Sequence, residues 1–340
     1  MLNLNSRMLA CAAALTMASQ LSARAAEPTV LVDDLENPSG VAVHSGGDVF
    51  VSERRGVVRL HPGADGKMTR AYEVSKYPTD IYGKGPMYDI GPLGVAFLDD
   101  GHLIVSDGSR VDGDELVRVY KIGAEAPKEP QSEDSAAYTL GPIKAGTDSA
   151  KGEGNFYAIA IANDTAFITS NGDDTKGWIV GFPIVDGKPG ELQAMIATKP
   201  LLEVDAPVGI TTSSKGHLVV GQMGEVNVPG DSLLTIYDPA TKELKEKYAT
   251  GLNDIAALAY SPTTGKLYAA DFSWVEPAKG ALYELVVVGD KCEPKKVADL
   301  DKPTALAFDK DGNLLVTVFG TAKDGETKKA GKVLKFAKGL

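Results

Sequence analysis

Cysteine is nearly absent from this chain, which holds only Cys11 and Cys292. Histidine is held to four residues, and no apolar run is long enough to serve as a permanent bilayer anchor. Each shortage removes a class of function. Cys11 falls in an N-terminal stretch that reads as an export signal, so the mature chain keeps one thiol and forms no internal disulfide. No His lies near Cys292 in sequence, so a buried, tolerated thiol is expected there rather than a nucleophile. The sequence has no covalent haem motif, zinc-type Cys/His cluster, phosphate loop or G-x-S-x-G nucleophile elbow. No haem, flavin or nicotinamide cofactor is therefore expected.

Positive charge is also short. There are 35 Lys and Arg against 46 Asp and Glu, a net −11, which becomes −13 once Arg7 and Arg24 leave with the signal. Such a surface repels phosphate backbones and anionic headgroups, so nucleic acid is excluded as a partner. In the signal, Arg7 precedes an apolar stretch over 8–17, and Ala23-Arg24-Ala25 supplies a small-x-small cleavage pattern. Residues 1–25 are expected to be a cleaved signal peptide and 26–340 a single domain. That implies a periplasmic or secreted protein with no membrane insertion after cleavage.

What the sequence has in abundance is one pattern written six times. A small residue opens an apolar run at Gly40, Gly94, Ala158, Gly209, Ala257 and Ala305, in steps of 54, 64, 51, 48 and 48 residues. A tight turn follows each run, then a second apolar run and a third strand. Repeats of this period built from short strands specify an all-β fold, the six-bladed β-propeller. The turns, such as Ser45-Gly46-Gly47 and Asp309-Lys310-Asp311-Gly312, carry the Gly, Asn and Asp that hairpins require. The sixth copy ends without room for an outer strand. The apolar run at Thr29 to Val32 is expected to supply it, so that the N-terminal strand pairs with the last blade and closes the ring.

Antiparallel alternation puts the second-to-third-strand loops and the blade-to-blade connections on one rim. The long insertions fall there: 77–91, 108–115, 141–154, 172–177, 223–232, 272–280 and 319–331. The opposite rim has mostly tight turns, apart from an acidic excursion at 123–137 read as a flexible surface loop. Loops longer than turn geometry needs usually carry function, so binding is expected on the elaborated rim, over the central channel.

The strings NPSGVAVHSGGDVFVSE and KPTALAFDKDGNLLVTV resemble the P-x-G…D-G repeat of NHL-repeat and SMP-30/gluconolactonase-like six-bladed propellers, over roughly 29–340. The resemblance implies a lactonase-type site in which Glu, Asn and Asp hold a divalent metal in the channel, several of them at the x of P-x-G. The matching positions here are Ser39, Leu93, Tyr157, Val208, Ala256 and Thr304. None is a carboxylate or an amide. Glu36, Asn253 and Asp254 lie two or three residues out of register.

Three constellations remain as candidates. The first is a polar ring at the second-strand ends, Glu53, Asp107, Asn171, Gln222 and Asp271, broken by Val318. It either holds Ca²⁺ or another divalent cation, with Asp107, Asn171 and Asp271 as ligands, or caps its own loops. The second is the acidic loop from Asp107 to Glu115, with Asp173 and Asp174, which either chelates a cation or is a solvated turn. The third is aromatic: Tyr77, Tyr82, Met87 and Tyr88, then Phe156 and Tyr157, then Trp274. These side chains form either a ligand platform or a lid packed into the channel. The ligand-binding set expected is Tyr82, Tyr88, Tyr157, Trp274 and Gln222.

All four His (44, 61, 102 and 217) belong at the short-turn rim, which leaves the elaborated face without an imidazole base. That argues against His-dyad hydrolases, His-based lyases and the His-dependent quinoproteins of this fold. Two functions remain in view. The leading one is an exported, non-catalytic propeller that binds a small neutral ligand or a protein partner through the rim. The other is a divalent-metal lactonase or esterase with a rearranged site among Glu36, Asp107, Asn171, Asp254 and Asp271.

Overall fold

A computed structural model of the chain describes residues 27–63, 67–147, 149–173, 175–322 and 329–340. The expected signal peptide and Asp174 lie outside them. Six antiparallel sheets form a ring. Blade 1 runs Gly40–Val43, Val49–Glu53, Gly56–Pro62 and Met68–Ser75. Blade 2 runs Pro92–Asp99, His102–Asp107, Val117–Lys121 and Tyr138–Leu140. Blade 3 comprises Ile159–Ala162, Thr165–Thr169, Trp178–Val185 and Gln193–Ala197. Blade 4 comprises Pro207–Thr212, Leu218–Gln222, Leu233–Tyr237 and Leu244–Ala249. Blade 5 holds Ile255–Tyr260, Leu267–Asp271, Ala281–Val288 and Lys291–Asp299. Blade 6 takes Pro303–Phe308, Leu314–Val318 and Gly331–Phe336 from the C-terminal end, and Thr29–Leu35 from the N-terminal end.

The small residue that opens each repeat is demanded by the next blade. A Cβ built on Gly40 would fall on the carbonyl oxygen of Leu93, and one on Gly94 would fall on that of Tyr157. A Cβ on Gly209 would come 3.0 Å from the backbone of Ala257. Opposite these positions, on the second strands, hydroxyls reach across to the neighbouring blade. Ser52 Oγ donates to Leu93 O, Ser106 Oγ to Phe156 O at 2.7 Å, and Thr169 Oγ1 to Val208 O at 2.7 Å. Thr304 Oγ1 donates to Pro38 O at 2.6 Å across the closure between blades 6 and 1. All four hydroxyl residues are buried, so each bond satisfies a carbonyl that water cannot reach, at about 1 kcal/mol net apiece. Gly221 and Ala270 occupy the equivalent positions in blades 4 and 5, where the contact is apolar: a Cβ on Gly221 would strike Ile255.

The core is distributed as wedges between adjacent blades. Phe50, Val57 and Tyr77 of blade 1 and its exit meet Val95, Leu103 and Tyr120 of blade 2. Cys292 sits in the wedge between blades 4 and 5 with Leu234, Leu258 and Leu267, and burial pushes its thiol up to about 11. It is a packed side chain, not a nucleophile.

Two features of the chain depart from the pattern read in the sequence. The 123–137 excursion is not a loose loop. Gln131–Ser132 adds a short parallel strand to the outer edge of blade 1, pairing with Val74 and Ser75. Arg59 donates to the carbonyls of Gly123 and Ala124 at 2.9 and 2.6 Å, and Glu133 is held between Arg110 and Arg118. Side-chain charge on both blades recruits the excursion as a strap. The second departure is in blade 3, whose second strand ends at Thr169. Thr169, not Ser170, stands where Ser52 and Ser106 stand, so the polar ring is one residue out of step there.

Closure follows expectation. Thr29 faces Lys335, Val30 faces Leu334 and Leu35 faces Gly331. Leu35 is buried with Val41, Val58, Leu315 and Val333 in the wedge that joins the two ends of the chain. Deleting residues 27–35 should therefore lower the melting temperature by more than about 10 °C or drive association through the bared edge. Calorimetry with light scattering checks this, and a melting temperature within about 2 °C of the parent would contradict it.

Candidate functional site

The 77–91 insertion, between blades 1 and 2, folds into a hairpin that lies across the channel mouth. Asp80–Tyr82 pairs with Tyr88–Ile90, and the turn passes through Gly83 and Gly85 at φ of 130° and 104°. Every other blade that borders the mouth takes hold of it. Each hold comes from the loop between the second and third strands of a blade. From blade 3, Asn171 Nδ2 donates to Tyr82 Oη at 2.7 Å. From blade 4, Glu225 meets Lys84 at 3.3 Å. From blade 5, Trp274 donates its Nε1 to Pro86 O at 3.0 Å. From blade 6, Phe319 packs on Tyr88 with ring centroids 5.3 Å apart. The base is tied to blade 1 by Asn37 Nδ2 on Asp89 O at 2.8 Å and Arg54 on Asp89 at 3.1 Å.

Beneath the hairpin is a small chamber of about 50 Å³. Its wall contains all six x positions of the repeat: Ser39, Leu93, Tyr157, Val208, Ala256 and Thr304. The polar atoms among them are engaged. Ser39 Oγ donates to Asn37 O, Thr304 Oγ1 to Pro38 O, and Tyr157 Oη to Thr304 O at 3.1 Å. Burial, with Tyr82 adding to it, holds the Tyr157 hydroxyl well above the ordinary phenol range. Where the resemblance puts metal-binding carboxylates, this chain has apolar carbon and spent hydroxyls. Among the described residues, no three His, Cys, Asp or Glu side chains gather to hold a metal.

Beside the hairpin lies a larger vestibule of about 330 Å³, which shares Tyr82, Asn155, Asn171 and Met223 with the chamber. Its wall is polar, with Asp80, Lys84, Asp112, Lys151, Asp205 and Glu225. Two of these carboxylates are already paired, Asp205 with Lys199 at 2.9 Å and Glu225 with Lys84. Asn155 adopts a left-handed φ of 46°, which Asn tolerates better than most residues. Its Nδ2 reaches Asp112 at 3.3 Å, and its backbone N–H donates to buried Glu115. Burial, reinforced by Asp107 and Asp112, pushes Glu115 up to about 10, so it is a neutral acid at pH 7.

Of the aromatic constellation, Tyr82, Tyr88, Tyr157 and Trp274 line the chamber, whereas Tyr77 and Phe156 are buried in the wedges between blades 1 and 2 and blades 2 and 3, and Met87 is exposed. Gln222 does not join them. It is buried in the wall, with Nε2 donating to Thr198 Oγ1 at 2.9 Å and Val204 O at 3.1 Å. The proposed metal ligands are dispersed in separate duties. Asp107 accepts from Ser109 N at 2.9 Å and pairs with Arg110 and Arg118 at 2.6 and 3.2 Å. Asp271 accepts the backbone N–H groups of Asn253, Asp254 and Ser273. Glu53 likewise takes Glu36 N at 2.9 Å, and Glu36 itself pairs with Arg54 at 2.7 Å. The ring at the second-strand ends is thus a set of loop braces, and Asn171 alone of these residues faces the chamber.

Apart from Asn171, the side chains that reach the chamber from these loops stand one place beyond the polar ring. The positions two after the hydroxyl register are Arg54, Gly108, Asn171, Met223, Phe272 and Phe319, and the last four line the chamber. Side chains alternate faces along a strand, so a ring one residue earlier points away from the channel. The signal was present as Gln222-Met223, Asp271-Phe272 and Val318-Phe319.

No family model matches the chain, and no curated protein matches it by sequence. Solved structures match in shape. A Thermus thermophilus protein described as a putative oxidoreductase (glucose dehydrogenase) gives a TM-score of 0.62 at 16% identity, covering 92% of this chain and 100% of that one. The PQQ-bound aldose sugar dehydrogenase of Streptomyces coelicolor gives 0.61 at 16%, covering 91% and 97%. A protein described as a gluconolactonase gives 0.54 at 13%, covering 92% of each chain. The last agrees with the resemblance carried by the repeat. At these identities the likeness establishes the six-bladed propeller and no activity.

Asp254 supports the roof of the chamber from below, with Oδ2 accepting the Trp274 backbone N–H at 2.5 Å. Burial, then the nearby Asp271 and Asp231 charges, raises it to about 7. A raised carboxyl stabilises the fold while protonated, and that contribution is lost as pH rises through the folded value. Asp254→Asn should therefore melt at least about 2 °C above the parent near pH 8, the gain shrinking toward zero near pH 4. Thermal melts across that range check it, and a difference independent of pH would contradict it.

Proposed function

We propose that this protein is a non-catalytic, ligand-binding propeller that takes a small neutral organic molecule in the vestibule of its insertion rim. The observation that carries the reading is the occupancy of the six x positions. A lactonase-type metal centre needs hard oxygen ligands there, and the chain presents Leu93, Tyr157, Val208 and Ala256 with two hydroxyls already donating elsewhere. The vestibule has the volume of a ligand site and a wall of amides and charges, several of them internally paired, which favours a neutral guest. All four His sit at the short-turn rim: His44 beside Asp100, His61 on Asp48, His102 on Asp99, and His217 on the Ser213 turn. A quinone chemistry that depends on imidazole does not fit this face. The acidic surface and the N-terminal export pattern support action outside the cytoplasm, away from nucleic acid.

The test combines metal content with ligand capture. Elemental mass spectrometry of the purified protein, before and after chelation, should find less than about 0.1 divalent ion per chain. A thermal-shift panel of neutral sugars and amides should yield a stabilising ligand, and Asp112→Ala or Asn171→Ala should weaken its Kd at least about tenfold. Stoichiometric metal that survives dialysis, together with lactone or ester hydrolysis lost in Asp271→Ala, would overturn the reading in favour of a metal hydrolase.

A further inference from the structure

Tyr88 occupies a cage made by other parts of the ring. Its ring stands edge-on to Phe272 at 5.7 Å, to Trp274 at 5.1 Å and to Phe319 at 5.3 Å between centroids. Phe272 also packs directly on Trp274 at 5.0 Å and on Phe319 at 5.6 Å, so the three rings form one surface on blades 5 and 6. These three are buried, whereas Tyr88 is half-buried and arrives from the hairpin between blades 1 and 2. The edge-to-face geometry is the arrangement by which aromatic faces hold an aromatic guest. The Tyr88 hydroxyl makes no hydrogen bond to any described residue, so ring contacts alone hold its side chain. The hairpin has a Gly83–Gly85 turn and is pinned by two neutral hydrogen bonds, Trp274 Nε1 on Pro86 O and Asn171 Nδ2 on Tyr82 Oη, and by an exposed Lys84–Glu225 pair. An exposed pair of this kind contributes little.

We infer that the Phe272, Trp274 and Phe319 cage is a binding site for the aromatic ring of an incoming neutral molecule, with Tyr88 as the internal stand-in that fills it in the free protein. The inference deepens the reading of this rim as a neutral-ligand site and rests on it. The ligand class is then a single phenol-like ring carrying a polar, uncharged remainder. The ring displaces Tyr88 and enters the apolar channel mouth against Ile90, Val208 and Ala256, while the remainder stays in the vestibule. The chamber of about 50 Å³ is too small for a ring while the hairpin is down, so binding requires Tyr88 to leave. Tyr88 thereby lowers the apparent affinity by the fraction of time the cage is empty.

The probe is 4-fluorophenol, followed by fluorine NMR and by Trp274 fluorescence in a Trp178→Phe background. The parent should bind it saturably, and Tyr88→Ala should bind it at least about tenfold more tightly, because the stand-in is gone. Trp274→Ala should abolish binding, and Trp274→Phe, which keeps a ring in the wall, should retain it. No saturable binding to the parent, equal affinity in parent and Tyr88→Ala, or binding unaffected by Trp274→Ala would each overturn the inference. A sugar or amide that binds and depends on Asp112, beside a silent fluorophenol, would sink the cage while leaving the vestibule reading intact.

Discussion

Contact between neighbouring blades at the channel wall sets the terms for the rest of the molecule. The first strands stand so close that a Cβ on Gly40 or Gly94 would overlap the carbonyl oxygen of the next blade. Four buried hydroxyls bond carbonyls of the next blade at this wall, three from second strands and one, Thr304, from the first strand of blade 6. The repeated small residue is therefore a steric requirement, and the Ser or Thr opposite it is the polar compensation. Because the bridges run in one direction around the ring, the last must join Thr304 to Pro38. The N-terminal strand that completes blade 6 fastens the same junction from outside. Closure is thus secured at the inner wall and at the outer edge.

With the wall fixed, the character of the channel mouth depends on the residues just beyond each second strand. Four of the six blades place Asn171, Met223, Phe272 and Phe319 there, and the hairpin from blade 1 lies over them. Met and aromatic side chains at a channel mouth exclude water and offer hard cations nothing, whereas carboxylates at the x positions would have done the reverse. The carboxylates this chain does have are used as braces. Asp107, Glu53 and Asp271 each satisfy backbone N–H groups or guanidinium groups at the exit of their own strand. The polar side chains of this rim gather instead in the vestibule beside the hairpin.

Much of this architecture is legible in the residues alone. Six small residues at five near-regular steps set the blade count, and the missing outer strand of the sixth copy announces closure by the run at Thr29 to Val32. The clustering of long loops located the elaborated rim, and four of the five expected ligand-binding side chains line its chamber. The failures have physical causes. A polar ring drawn through the strand ends lies one residue too early, on the face that alternation turns away from the channel, which leaves Gln222 in the wall and Phe272 and Phe319 at the mouth. In blade 3 the strand ends at Thr169, and that one-residue slip is why Asn171 reaches the mouth although the ring drawn through it does not. The 123–137 segment looked loose because its anchors, Arg59, Arg110 and Arg118, come from other parts of the sequence.

The central claim is that the channel mouth is a dry apolar chamber closed by the Tyr82–Tyr88 hairpin rather than a metal seat. Diffraction from crystals pressurised with xenon tests it directly, because xenon enters apolar cavities and its anomalous signal is distinct from that of a coordinated cation. The predicted result is a xenon atom beneath Tyr88 and Trp274, in contact with Leu93, Val208 and Ala256. A cation peak ringed by oxygen ligands at the level of Ser39 and Thr304, with no xenon in the chamber, would contradict it.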